Sequence, residues 1–173
     1  DVCSSDLENT YCAVVPKPIQ ESLDILSFVF GKVLGTGSFS EVKEAMLIQL
    51  GVLPSHWKKY AVKIMLKKTL DVQQYWPNVS REMTVMKLLK HPNIVSLLGS
   101  FQTDKHLYIV MELAPKGDLH SHITNLGSLS EESSRFLMAE VILALEAVHK
   151  AGYVFIDLKP ENILLDSAVH VKL

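Results

Sequence analysis

Apolar and polar residues alternate over residues 28–35 and again over about 39–46, the two-residue period of half-buried strands. Residues 47–57, with Gly51 and Pro54, read as a connecting loop or hairpin extension, and residues 60–65 as a short third strand. The period then changes. Val79, Met83, Met86 and Leu89 recur at steps of four, three and three, which predicts a helix over residues 78–90 that His91-Pro92 ends. Two more strands follow, over about 94–101 and 106–113, with a polar turn at Thr103-Asp104-Lys105 between them. Beyond Pro115 the pattern is helical. Ser128-Leu129-Ser130-Glu131 reads as a capping box, which satisfies free backbone donors at a helix start. Leu137, Val141, Leu145 and Val148 then share one face, and Gly152 is the expected stop. A loop at 157–162 and two short strands complete the pattern. Residues 1–27 are polar, carry Pro16 and Pro18, keep no period, and read as a leader without its own core. A strand-rich half with one helix, then a helical half, predicts an α+β fold in two lobes rather than one layered domain.

Composition narrows the classes. With 48% hydrophobic residues in 173, the chain can bury a sizeable core of about one domain. A net charge of −2 gives no footprint for nucleic acid or a membrane surface. The longest apolar run, residues 141–145, is far short of the ~20 needed to span a bilayer. No basic segment followed by an apolar one opens the chain, so a cytoplasmic protein is expected. Cys3 and Cys12 suit no metal spacing and read as inert thiols, with pairing as the alternative. Both ends look artificial: no initiating Met is present, and the last five residues, Val169-His170-Val171-Lys172-Leu173, stop inside an alternating run. Residues 1–7, Asp-Val-Cys-Ser-Ser-Asp-Leu, resemble a translated sequencing adapter and are expected not to be genuine protein.

Three stretches carry candidate chemistry. Gly35-Thr36-Gly37-Ser38-Phe39-Ser40-Glu41-Val42 lies between two predicted strands. Glycines there let backbone N–H groups approach a phosphate chain, although a Gly-x-Gly hairpin is also an ordinary turn. Lys63, in Ala61-Val62-Lys63, reads either as a solubilising strand lysine or as an inward point charge on phosphates. An inward ammonium needs a partner, and Glu82 on the next helix is the candidate. Asp157-Leu158-Lys159-Pro160-Glu161-Asn162 is the most informative stretch. Phosphoryl transfer needs positioning and charge neutralisation, and here an aspartate can accept a hydroxyl proton, a lysine can steady a phosphate, and an asparagine carbonyl can ligate Mg²⁺.

These motifs, with Arg81-Glu82, His91-Pro92, Ser100-Phe101-Gln102 and Leu107-Tyr108, resemble the AGC-type Ser/Thr protein kinases from about residue 28 to the last. Within that group the likeness is to the phosphoinositide-dependent protein kinases. The resemblance implies a two-lobe kinase fold: a five-stranded antiparallel small lobe with one helix and a hinge (28–114), then a partial, mainly helical large lobe (115–173). It implies ATP and Mg²⁺ as cofactors and Ser/Thr hydroxyls of proteins as substrates. Nucleotide contacts would fall on Leu34, Gly35, Thr36, Gly37, Ser38, Phe39, Ser40, Val42, Ala61 and Lys63. Met111 would be the gatekeeper, Glu112 and Ala114 would offer hinge backbone to adenine, and Asp118 would hold the ribose. Lys63 and Glu82 would form the ion pair of the active state. Asp157 would be the catalytic base, Lys159 the phosphate lysine and Asn162 the metal ligand. Lys67, Gln102 and Leu107 would belong to a docking groove for a hydrophobic-motif peptide.

Two departures qualify this. Phe155-Ile156-Asp157 stands where kinases usually carry His/Tyr-Arg-Asp, and isoleucine cannot pair with an activation-loop phosphate. The metal-binding Asp-Phe-Gly would begin about two residues past Leu173, so this stretch alone is expected to be inactive and to leave the Leu137/Val141/Leu145 face poorly covered. A nucleotide-binding pseudokinase or scaffold is the alternative reading.

Overall fold

A computed structural model describes residues 23–173. The adapter-like residues 1–7, both cysteines and most of the leader lie outside the described residues. Five strands, β1 (Phe28–Thr36), β2 (Ser40–Leu47), β3 (Lys59–Leu66), β4 (Leu97–Gln102) and β5 (His106–Glu112), form one antiparallel sheet in the order β1-β2-β3-β5-β4.

Because side chains alternate across a strand, β3 splits its residues between two cores. Tyr60, Val62 and Ile64 join Phe28, Ala45, Phe101, Tyr108 and Val110 on one face. There the rings of Phe28, Phe101 and Tyr108 stack in series, with centroids 5.8 and 4.6 Å apart. Met65 turns to the other face with Leu97, Leu107 and Ile109, and this core is closed by two helices, α1 (Lys67–Val72) and α2 (Trp76–Leu88). The expected single helix is therefore corrected to two. The six residues of α1 are too few to show a period, and one fully buried side chain, Leu70, anchors them. Within α2, Val79, Met83 and Met86 face the sheet as the spacing predicts. Leu89 caps the end and packs instead with Ile94, Ala144 and Val148.

The strand expected over 94–101 begins only at Leu97. Residues before it bond to the far end of the chain: Leu173 N–H donates to Asn93 O, and Val95 N–H to Leu173 O, each at 2.9 Å.

The second lobe holds α3 (Leu119–Leu126), α4 (Glu131–Lys150) and a small sheet of β6 (Gly117–Asp118), β7 (Leu164–Leu165) and β8 (Val171–Lys172) in the order β6-β7-β8. Ser130, not Ser128, caps α4; it accepts from Ser133 N–H, and Glu131 already lies in the first turn, where it pairs with Arg135. The other end is as expected. Gly152, at φ +83°, donates to His149 O while Tyr153 donates to Val148 O, the two bonds of a Schellman cap.

The apolar face of α4 is better covered than the sequence suggested. Leu137 and Val141 are buried against Leu119, Ile163, Leu165 and Val171. The two expected short strands, β7 and β8, supply that cover together with α3, which periodicity did not locate. The opposite face, with Phe136, Ile142 and Leu143, is the exposed one.

Candidate active site

The glycine loop is the turn between β1 and β2. Gly37 N–H donates to Ser40 O at 2.7 Å and closes the hairpin, leaving Ser38 and Phe39 at its tip. A Cβ at Gly35 would meet nothing within 4 Å, which leaves an open approach to the backbone there. The Phe39 ring packs on Tyr75, centroid to centroid 5.0 Å, so a ligand in the loop would meet Phe39 through its backbone. Tyr75 sits between two helices where no period marks it, and sequence reasoning missed it.

Register brings five of the expected contacts together on the sheet around Lys63. Val42 pairs with Lys63 and also with Gly35, while Ala61 pairs with Met111. Lys63 Nζ reaches both oxygens of Glu82, at 2.8 and 3.0 Å, with side-chain exposures of 21% and 37%. A partly buried, two-point pair of this kind orients both side chains and fixes α2 against β3. Leu34 and Thr36 lie exposed at the end of β1.

Past β5 the chain runs through Glu112, Leu113 and Ala114 into a turn closed by Gly117 N–H donating to Ala114 O. Asp118 caps α3: Oδ1 accepts from Ser121 N–H at 2.7 Å and Oδ2 from the Ser121 hydroxyl at 2.8 Å. Burial pushes the Asp118 carboxyl upward, but these hydrogen bonds outweigh it and hold the group below its ordinary value. Both carboxylate oxygens thus already have partners, a local duty the sequence reading had not assigned.

The third part is the loop leading to β7. Lys159 Nζ lies 2.9 Å from Asp157 Oδ2, and Asn162 Nδ2 donates to both the backbone O and Oδ2 of Asp157 at 2.8 Å. A 3-10 turn, Pro160–Asn162, sets the spacing, with proline at its first position where no N–H is needed. The hydrogen bond from Lys159 first, and that from Asn162 second, hold the Asp157 carboxyl below its usual value; the same bond raises Lys159. Ile163 and Leu165 are buried directly after the loop and moor it to the α4 core. Ile156 beside it is 92% exposed.

The docking-groove candidates divide. Lys67 opens α1 and Gln102 is exposed at the end of β4, whereas Leu107 is buried in the core beneath them.

Among the described residues no group of three His, Cys, Asp or Glu could hold a metal. Asn162 fits Mg²⁺ as one member of a shell, because that ion keeps several waters and takes one or two protein oxygens beside substrate phosphates. No described helix is long and apolar enough to cross a membrane.

Comparison with known proteins agrees with this geometry. The protein kinase domain family matches residues 28–173. A Serine/threonine-protein kinase CBK1 of Yarrowia lipolytica is 44% identical over 146 residues, covering 84% of this chain and 24% of its own length. The 3-phosphoinositide-dependent protein kinase 1 of Arabidopsis thaliana is 40% identical over 157 residues, 91% of this chain and 31% of its own length. The human protein of the same name is 40% identical over 146 residues, 84% and 25%. The chain thus spans about a quarter to a third of the curated relatives it matches. An antiparallel five-stranded lobe, its lysine–glutamate pair and a bonded Asp-Lys-Asn loop on a helical base, matched over residues 28–173, place the chain in the protein kinase domain family.

Proposed function

We propose that the protein carrying this chain transfers the γ-phosphoryl group of ATP to Ser or Thr hydroxyls of other proteins in the cytoplasm. Residues 28–114 are read as its small lobe and hinge and residues 115–173 as the start of its large lobe. The observation that carries the proposal is the Asp157-Lys159-Asn162 cluster, three side chains of one loop joined by hydrogen bonds of 2.8 to 2.9 Å.

In this reading the substrate hydroxyl oxygen bonds to the γ-phosphorus as the bond to the bridging oxygen of ADP breaks. Asp157 receives the hydroxyl proton. Its lowered pKa makes it a weak base, which suits a loose transition state in which the proton leaves late and positioning dominates. Lys159 offers a fixed positive charge to the transferring group. Asn162 commits its amide N–H groups to Asp157, which leaves Oδ1 as the oxygen for a hard cation. Mg²⁺, when bound, would neutralise charge on the phosphate oxygens. Lys63, held by Glu82, does the same for the remaining phosphates, while the Gly35–Ser40 turn, Val42, Ala61 and Met111 enclose the nucleotide. On the strength of the resemblance alone, Lys67 and Gln102 over Leu107 are assigned to docking of a hydrophobic-motif peptide. Ile156 leaves no charge for an activation-loop phosphate, so activity independent of that pairing is expected.

The test is radiolabelled transfer from ATP with Mg²⁺ to a basic protein substrate, using the full-length protein and its Asp157→Ala variant. Labelled phosphoserine or phosphothreonine with the first and none with the second supports the proposal. Nucleotide binding without transfer in either would replace it with the pseudokinase reading.

A further inference from the structure

Glu112 stands at the end of β5, where the small sheet gives way to the connection between the lobes, and three segments far apart in sequence meet on it. Its Oε2 accepts from Ser96 N–H at 3.2 Å, and its Oε1 lies 2.7 Å from Lys172 Nζ. The backbone N–H of Glu112 donates to Ser96 O at 2.9 Å, so residues 96 and 112 are joined twice. Lys172 has a side-chain exposure of only 12%, well below that of Lys159 at 47%, and its charge is carried by strand β8 of the second lobe. That strand is itself tied to the segment before β4. Asn93, the one buried polar residue among those described, donates from Nδ2 to Val171 O at 3.1 Å, beside the two backbone bonds of Leu173. A carboxylate with each oxygen on a different element, facing a largely buried ammonium, fixes relative position more firmly than an exposed pair does.

We propose that Glu112 and Lys172 form a latch behind the inter-lobe connection that pre-orders the backbone of residues 112–114 for nucleotide. The inference rests on the proposed nucleotide site, since it assigns those backbone groups to adenine. Glu112 serves twice, its backbone on the ligand side and its side chain on the latch. Lys172 is a positioning residue that touches no ligand. Without the latch, ordering of the connection is deferred to the binding step, which weakens ground state and transition state equally and raises KM without lowering kcat.

The experiment is a double-mutant cycle in the full-length protein with Lys172→Met, Glu112→Gln and both, alongside Lys172→Arg. The expected result is a KM for ATP raised about threefold to tenfold by Lys172→Met, within the coupling range of contacting residues, with kcat within about twofold. The double variant should be no worse than the weaker single, and Lys172→Arg should restore the wild-type value. Amide hydrogen exchange without nucleotide should quicken at Val95, Ser96 and Leu173 in Lys172→Met and not in Lys172→Arg. Additive effects, an unchanged KM with unchanged exchange, or a loss shared by Lys172→Arg would each overturn the latch while leaving the kinase reading intact. Quickened exchange in Lys172→Met, with a wild-type protein that binds no ATP, would overturn the nucleotide assignment and the latch's role in it together.

Discussion

Two of the lysine–carboxylate pairs belong to the candidate site, and their settings differ. Lys63 and Glu82 join a central strand to a packed helix, touch at two points, and are partly buried beneath the sheet. Lys159 and Asp157 lie two residues apart on a loop, touch once, and are largely exposed, at 47% and 70%. The first pair is framework: its geometry is set by β3 register and by Val79, Met83 and Met86 holding α2 in place. In the proposed function the second is the reactive one: both groups face water, and either could trade its partner for an incoming phosphate or hydroxyl. An enzyme of this kind is expected to divide labour in this way, with a rigid cation to hold nucleotide and a looser cluster to process it.

The largest expected effect comes from breaking the framework pair. Lys63→Met in the full-length protein should lower phosphotransfer by about a hundredfold or more, as loss of a preorganised electrostatic group does, with circular dichroism unchanged. Glu82→Gln should lower it less, because an amide oxygen still accepts from Lys63. Equal losses would mean that the pair matters only for packing.

The support under the reactive loop can be tested through stability. Leu165→Ala removes a fully buried side chain beneath the loop and should cost about 2–5 kcal/mol in a denaturant titration. Ile142→Ala on the exposed face of α4 should change stability by about 0.5 kcal/mol or less. A reversal would put the covered face of α4 on the Ile142 side and leave the Leu137/Val141 face bare, as the sequence alone had suggested. Gly152→Ala forces a Cβ into a left-handed residue at the α4 cap and should cost about 1 kcal/mol by the same titration.

The smallest effect is one of pH. His170 Nδ1 lies 2.7 Å from Glu140 Oε1, and that hydrogen bond, then the charge of Glu140, raises the imidazole above its ordinary value. A raised folded-state pKa contributes stability fully below the unfolded value of about 6.5 and loses it as pH rises through the folded value. Wild type should therefore melt above His170→Gln by a wider margin at pH 5.5 than at pH 8.5. An equal margin at both would show that the pair contributes no charge linkage.

Much of this was legible because periodicity survives in a single sequence. The step pattern of Val79, Met83 and Met86 marked the sheet face of α2, and Gly152 marked the end of α4. The need of an inward ammonium for a partner made Glu82 a candidate for Lys63, and the family resemblance implied the pair. What stayed hidden was non-periodic or too short. Six residues of α1 and eight of α3 carry too little repeat, and β6 has only two residues. The capping position of α4 slipped by two because Ser128 and Ser130 both precede a glutamate-rich turn, and only the hydrogen bond to Ser133 separates them. Contacts across 60 to 80 positions, such as Glu112 with Lys172 and Asn93 with Val171, have no local signal at all.

The most direct test of the division of labour is to measure ATP affinity and phosphotransfer side by side in full-length Asp157→Ala. Affinity within about threefold of wild type, with transfer down about a hundredfold or more, is the expected result for a group that acts on the hydroxyl proton rather than on the nucleotide. Transfer retained, or affinity lost in step with it, would contradict the account.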